Sequence, residues 1–376
     1  MPSSPEHATR SANDEPVASE TITTGLRVSG KLPALLSGQY LQIGADRIDA
    51  THPADSAGGE GMLHAVTFDP GRGVSYRNHW IGEDVADANL VAFGNAILVL
   101  VDGALAYELS SSLDTVRRVD LAGARRSLAA QAAVDPHSGE LHLLTFAAAP
   151  SQLHVTVSRG ALTRTIRLIG DAPGRIRQLE LTRDDVVLMA DGYVGVTARA
   201  GINTTATWFE IDTEARHIVT AYAHGESVIV HAAGPSLVRW TLDRRATAHC
   251  DVLDPTLRRF ATSNRRKSGA PQRFLWTVGA STAHKHDLLT GGRRSHDFGD
   301  SRTPGELVFV ADLDRRDTED GGWLVGFVHD NEGNQAELVV LDAEIIERPA
   351  VATVHIPRRI PNGAQGTWFP ACAVPI

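Results

Sequence analysis

The chain has 376 residues, enough for one large domain or two ordinary ones, and 42% of them are apolar, ample for a packed core. Its 36 basic residues against 45 acidic ones leave a formal charge of −9, which excludes a nucleic-acid backbone as main partner, because such binders need a basic stripe. No stretch approaches the roughly 18 consecutive apolar residues of a membrane-spanning helix, and the two cysteines, Cys250 and Cys372, show no metal, redox or disulfide spacing.

Residues 1–22 are rich in Ser, Pro and acidic groups and have neither a basic start nor an apolar core. They read as a disordered leader and not as a signal peptide. Residues 23–376 read as a single cytoplasmic domain, since no Pro-, Gly- or Ser-rich linker interrupts them. Short alternating or apolar runs dominate: AILVLVDGALAYEL, ELHLLTF, LHVTVS, DVVLMAD, SVIVHA and LVFVADL. Tight turns join many of them. HAVTFDPGRGVSYRNHW bends at Asp69-Pro70-Gly71, and AAVDPHSGELHLLTF, KHDLLTGGRRSHDF and VGFVHDNEGNQAELVVLD repeat the hairpin pattern. Hairpins over such a length predict an all-β sandwich, barrel or propeller. Length favours the propeller, because blades of about 45 residues would give seven or eight units.

Several segments are more specific. LPALLSGQYLQIGAD (32–46), GGEGMLHAVTFDPGRGVSYRNHW (58–80) and LAYELSSSLDTVRRVDLAG (105–123) come first. WFEID, RWTLD, RFLW, KHDLLTGG, HDFGDSRTPGELVFV, EDGGWLVGFVHD, ELVVLDA and GAQGTWFP follow. In order and spacing the chain resembles the carotenoid cleavage oxygenase family (retinal pigment epithelial membrane protein-like) over about residues 30–370. The resemblance implies a seven-bladed β-propeller under a mostly helical cap. It also implies a ferrous ion on the axis, held by four histidines with positions open for dioxygen and oriented by glutamates behind them. Carotenoids, apocarotenoids or stilbene-like phenols would be cleaved at a C=C bond. Between DVVLMADG and YVGVTARAG this chain lacks residues that the family has, so a reduced cap is expected.

Matched by flanking residues, the four histidine positions carry Gln131, Arg177, His217 and Gln365. Among the glutamate positions Glu306 is kept, Asp102 is one methylene shorter and Arg259 replaces a carboxylate. Glutamine oxygen is a poor ligand for Fe(II) and arginine does not ligate. The expectation is therefore a dismantled iron site, no cofactor and no bound metal. The expected function is a metal-independent, non-oxygenase cyclase, isomerase or lyase acting on a lipophilic unsaturated substrate, in secondary metabolism. Arg177, with Gln131 and Gln365, would polarise a carbonyl or hold a carboxylate; His217 would act as general acid or base. Asp102 and Glu306 would pair with Arg177 and Arg259. A non-catalytic binding protein and a residual iron dioxygenase are the alternatives. His64 reads as structural. So do His284 and His286, taken to face opposite sides of a strand. His224 and His231 read as no metal pair, and the basic run 258–267 as a solvated loop with Arg259 turned inward.

Overall fold

The computed structural model describes residues 17, 19–45, 61–82, 88–94, 96–121, 126–147, 153–159, 162–211, 215, 217–243, 245, 247–256, 259–361 and 363–371. They form an all-β propeller, with two short 3₁₀ turns and no α-helix among the described residues. The strands group into seven sheets. Five are built from the stretches 89–119, 126–169, 176–210, 217–254 and 260–297, the second of these gaining Asn203–Thr205 as a parallel edge.

The remaining two sheets close the ring by exchanging chain ends. Val28–Gly30 pairs with Ala352–Ile356 on the sheet built from 302–356. Gly363–Pro370 is the inner strand of a sheet otherwise made of the N-terminal strands Gly38–Ala45, Gly61–Asp69, Gly73–Gly82 and Thr21–Thr24. The boundary expected at residue 22 falls inside that last strand.

Burial grades outward along each sheet, and the composition follows it. Middle strands such as Asp185–Ala190 and Gly322–Asp330 are buried nearly throughout. Outermost strands such as Thr115–Val119 (TVRRV) and Gly292–Asp297 (GRRSHD) are mostly exposed. Continuous apolar runs belong to strands covered on both faces. Each pair of neighbouring sheets shares its own apolar cluster. Trp276 stacks on Phe309 at 4.7 Å across one such interface, and Tyr40 meets Phe327 edge-on at 5.0 Å across the next.

The hairpins read from the sequence are present, and one device recurs at their bends. An aspartate at the end of the first strand, or just past it, turns its carboxylate onto amides two and three residues ahead. Asp69 takes Gly71 and Arg72, Asp135 takes His137 and Ser138, and Asp330 takes Glu332 and Gly333. Such a bond substitutes for a backbone turn.

The innermost strands are Asn89–Phe93, Arg126–Val134, Ile176–Leu181, His217–His224, Phe260–Ser263, Val308–Ala311 and Gly363–Pro370, and they adjoin in a closed ring around the axis. One end of that ring is crossed by residues 264–272. Here the structure corrects the reading of 258–267 as a solvated loop. Phe260–Ser263 is an inner strand, and Asn264 caps a 3₁₀ turn, Arg265–Lys267. Buried Gln272 fastens the crossing, accepting from the Asn264 amide at 3.0 Å and donating to Thr220 Oγ1 at 3.1 Å. Gln272→Leu is expected to cost about 1–3 kcal/mol, because two buried polar groups lose their partner. Urea unfolding checks this, and an unchanged midpoint would show that the crossing is held elsewhere.

Candidate functional site

Four of the inner strands share an irregularity that the other three lack. Arg126–Val134 slips register between Leu128 and Ala132, Ile176–Leu181 between Ile176 and Gln178, His217–His224 between Ile218 and Thr220. Gly363–Pro370 slips between Ala364 and Thr367. The inner strands Asn89–Phe93, Phe260–Ser263 and Val308–Ala311 pair without a slip. Gln131, Arg177 and Gln365 lie within these bulges, and His217 stands two residues before its own. Bulges re-aim side chains and gather beside active sites. This is a backbone signature that sequence patterning does not reveal.

Arg177 and His217 are held level with one another. Gln178 donates to the carbonyl of Ile218 at 2.8 Å and accepts from its amide at 2.5 Å, bridging the two inner strands. Burial, assisted by the nearby positive charge of Arg265, holds the His217 imidazole down at about 4, so it is neutral at pH 7. Arg177 is not buried as expected: its side chain is 61% exposed and pairs with Asp191 at 2.5 Å. Exposure removes most of the desolvation cost of a fixed cation.

The other expected ion pairs also differ. Asp102 pairs with Arg175. The Arg259 guanidinium is exposed and lies over the Phe260 ring at 5.6 Å. Glu306 Oε2 accepts from the Gly366 amide at 2.9 Å, next to Gln365, and its carbonyl accepts from the Tyr40 hydroxyl at 3.0 Å. Of Gln131 and Gln365 themselves, only the strand positions are described.

Glu180 is a residue the sequence reading missed. It lies on the inner strand two residues beyond Gln178, 3% exposed, with Arg265 3.4 Å from its Oε2. Burial raises its pKa against the pull of Arg265. A charged residue between the two leucines of RQLELT, on the buried half of its strand, was the available signal.

The set-aside histidines are structural for reasons now visible. His64 Nδ1 is 2.8 Å from the Tyr76 hydroxyl. His284 and His286 do not face opposite ways. Two residues apart on one strand, their rings are 6.3 Å apart on a shared face. Both rings nevertheless bond hydroxyls, His284 those of Thr282 and Ser295, His286 that of Thr277.

A ferrous ion held by four imidazoles can be tested against these residues. His217, neutral and at a bulged inner strand, fits as one donor. Arg177 does not fit, and among the described residues no three His, Cys, Asp or Glu side chains come together to hold a metal ion. The four-imidazole set is not met by the described side chains.

A profile of the retinal pigment epithelial membrane protein family matches residues 14–85 and 190–370, well over half of the chain. The chain belongs to that family. It is 26% identical to the carotenoid cleavage oxygenase of Mycobacterium tuberculosis over 94% of this chain and 96% of that protein. It is 24% identical to the 9-cis-epoxycarotenoid dioxygenase NCED6 of Arabidopsis thaliana over 95% of this chain and 81% of that one. The alignment to the mycobacterial protein runs over 485 positions against a chain of 376 residues, so more than a hundred of them face gaps here. Among solved structures, cobalt-substituted Synechocystis apocarotenoid oxygenase superposes with a TM-score of 0.83 at 19% identity, covering 96% of this chain and 98% of that one. Pseudomonas brassicacearum lignostilbene dioxygenase gives 0.84 at 18% identity, covering 95% and 97%. At these identities the two structures speak for the fold.

These findings overturn the expectation that the chain takes no cofactor. Relatives aligned along nearly the whole chain are named as oxygenases and dioxygenases, and one relative of this fold is known in cobalt-substituted form. Metal chemistry belongs to the family. Metal-independent cyclase, isomerase or lyase chemistry, and a place in secondary metabolism, find no support among the relatives. No helix of the described residues is long and apolar enough to cross a membrane.

Proposed function

We propose that the chain is an oxygenase-type member of its family, binding a lipophilic conjugated substrate at the bulged end of the propeller axis and cleaving one of its C=C bonds. Each of the seven sheets is taken as one blade, under a cap reduced by the gaps in the mycobacterial alignment. The observation that carries the reading is the coincidence of four bulged inner strands with the four positions at which the resemblance expects the reacting centre. Gln131, Arg177, His217 and Gln365 are its proposed residues, with Asp102, Arg259 and Glu306 around them. His217 is the described side chain fit to bind a metal; donors at the other three positions are not imidazoles. Arg177 presents a planar fork of donors toward solvent, suited to holding a carbonyl beside the reacting double bond.

The test uses protein from iron-supplemented growth, incubated in air with apocarotenoid aldehydes and with stilbene-like phenols. The expected result is dioxygen uptake with two carbonyl products, lost on chelation. Iron-replete protein that cleaves none of these compounds overturns the reading and leaves a non-catalytic binder.

Arg177→Met is expected to weaken transition-state binding by about 2–4 kcal/mol, as for one preorganised donor, with a smaller loss for Arg177→Lys. Because the guanidinium is exposed, stability should change by no more than about 0.5 kcal/mol. Unchanged kcat/KM in both variants would remove Arg177 from the site.

A further inference from the structure

A small cleft opens beside this end of the axis, where three sheets meet. Its apolar walls include Phe260, Phe327 and Ile360, and its polar groups include Arg259, Thr303 and His329. It also touches Gly305, the neighbour of Glu306, whose carboxylate holds the amide beside Gln365. The cleft therefore adjoins the proposed reacting centre, and a ligand extending from one would reach the other.

Two features of this cleft are unspent. His329, 6% exposed on a middle strand, has an Nδ1 with no hydrogen-bond partner among the described residues. Buried polar atoms are nearly always partnered, and an exception marks a place where a ligand or water belongs. The second is Arg259. Arg175 and Arg177 each pair with a carboxylate, whereas among the described residues the Arg259 guanidinium has only the Phe260 ring against it. A stacked guanidinium is oriented, and its fork matches the two oxygens of a carboxylate.

We propose that this cleft receives the carboxylate-bearing end of a lipophilic ligand, with Arg259 and His329 as the recognition pair and Phe260, Phe327 and Ile360 as walls for the adjoining hydrocarbon. The proposal rests on the reading that the chain binds lipophilic conjugated substrates, and it adds a preference among them. Arg259 supplies the charge and two parallel donors. His329 donates from Nδ1 to the same carboxylate, and the buried ring nitrogen gains its missing partner. An alcohol of the same skeleton would leave the guanidinium fork half used and His329 in competition for one oxygen.

The experiment is tryptophan-fluorescence titration of the full chain with all-trans-retinoic acid and with all-trans-retinol, which differ only at the polar end. The wild type is expected to bind the acid at least about tenfold more tightly, the scale of one good charge-assisted pair. Arg259→Met, an exposed position that tolerates substitution, should bring the two affinities together by weakening the acid alone. Arg259→Lys should restore part of the preference. His329→Gln should lower it with retinol unchanged; His329→Phe repeats the test without a polar atom, each variant first checked by its melting curve. Equal affinities in the wild type, or a preference that survives both Arg259→Met and His329→Gln, overturns the proposal. If neither polyene binds, the lipophilic-substrate reading fails by itself and the cleft is judged on benzoate by ligand-observed NMR. Benzoate binding that disappears in Arg259→Met supports the carboxylate site, and absence of wild-type binding at millimolar benzoate ends it.

Discussion

His217→Ala is expected to lower turnover by about 10²–10⁴-fold, the range for a group acting directly on the reaction and worth about 3–5 kcal/mol of barrier. The imidazole is neutral at pH 7, because burial and the positive charge of Arg265 hold it at about 4. Neutrality is what either role requires, since both a metal ligand and a proton acceptor use the free ring nitrogen. Substrate affinity should change little, because Arg177 and the apolar surroundings remain. Comparing metal content in the two proteins separates the roles. A ligand's loss takes metal with it, whereas loss of a base leaves metal and removes the pH dependence of kcat. Turnover within threefold of wild type in His217→Ala would displace the reacting centre from this end of the axis.

The sequence made the hairpins legible because each is a local event. Asp69, Asp135 and Asp330 set their turns within three residues, and such bonds leave a mark in the sequence. Ring closure left none. The pairing of Val28–Gly30 with Ala352–Ile356 joins ends more than three hundred residues apart, and nothing in either tripeptide-scale pattern announces it. The site was legible as positions and not as contacts. Flanking residues located Arg177 and His217, but the partners of Arg177 and Asp102 depend on which side chains the bulges turn outward. Arg175, one residue before the bulged strand, takes Asp102, and Asp191 at the far end of the next hairpin takes Arg177. The expectation of buried guanidiniums failed for the same reason: the Arg177 side chain meets solvent and pairs with Asp191. Glu180 and His329 escaped because a strand's period gives a face but not a neighbour.

The fold itself should be sensitive to mild acid, through histidines away from the site. Burial holds His142 at about 4, with Arg199 adding to the effect and Glu140 opposing it. Burial likewise holds His231 at about 4, with Arg239, its partner across the neighbouring strand, pushing the same way. The other charged group facing His142 is Arg164, and Tyr222 stacks on His231 at 6.2 Å. Both folded-state values lie below the unfolded value of about 6.5, so the unfolded chain takes up protons first. Their stability contribution is therefore whole above pH 6.5 and is lost as pH falls from 6.5 toward 4, by about 3 kcal/mol for each histidine. Asp135, held at about 2 by hydrogen bonds from Arg199, His137 and Ser138 that outweigh its burial, acts in the same direction but only below the ordinary carboxylate range. The window between pH 6.5 and 4 thus belongs to the histidines. Thermal melts by circular dichroism at constant ionic strength should show a melting temperature flat above pH 7 that falls with increasing slope below pH 6.5. His231→Phe, which keeps a ring against Tyr222 but cannot protonate, should shed about a third of that slope, because His142 and His217, both also held at about 4, remain. A melting temperature that does not move between pH 7 and pH 4.5 would mean that both rings reach water or a proton-sharing partner in the folded protein, and that the acid sensitivity of this propeller lies in its carboxylates alone.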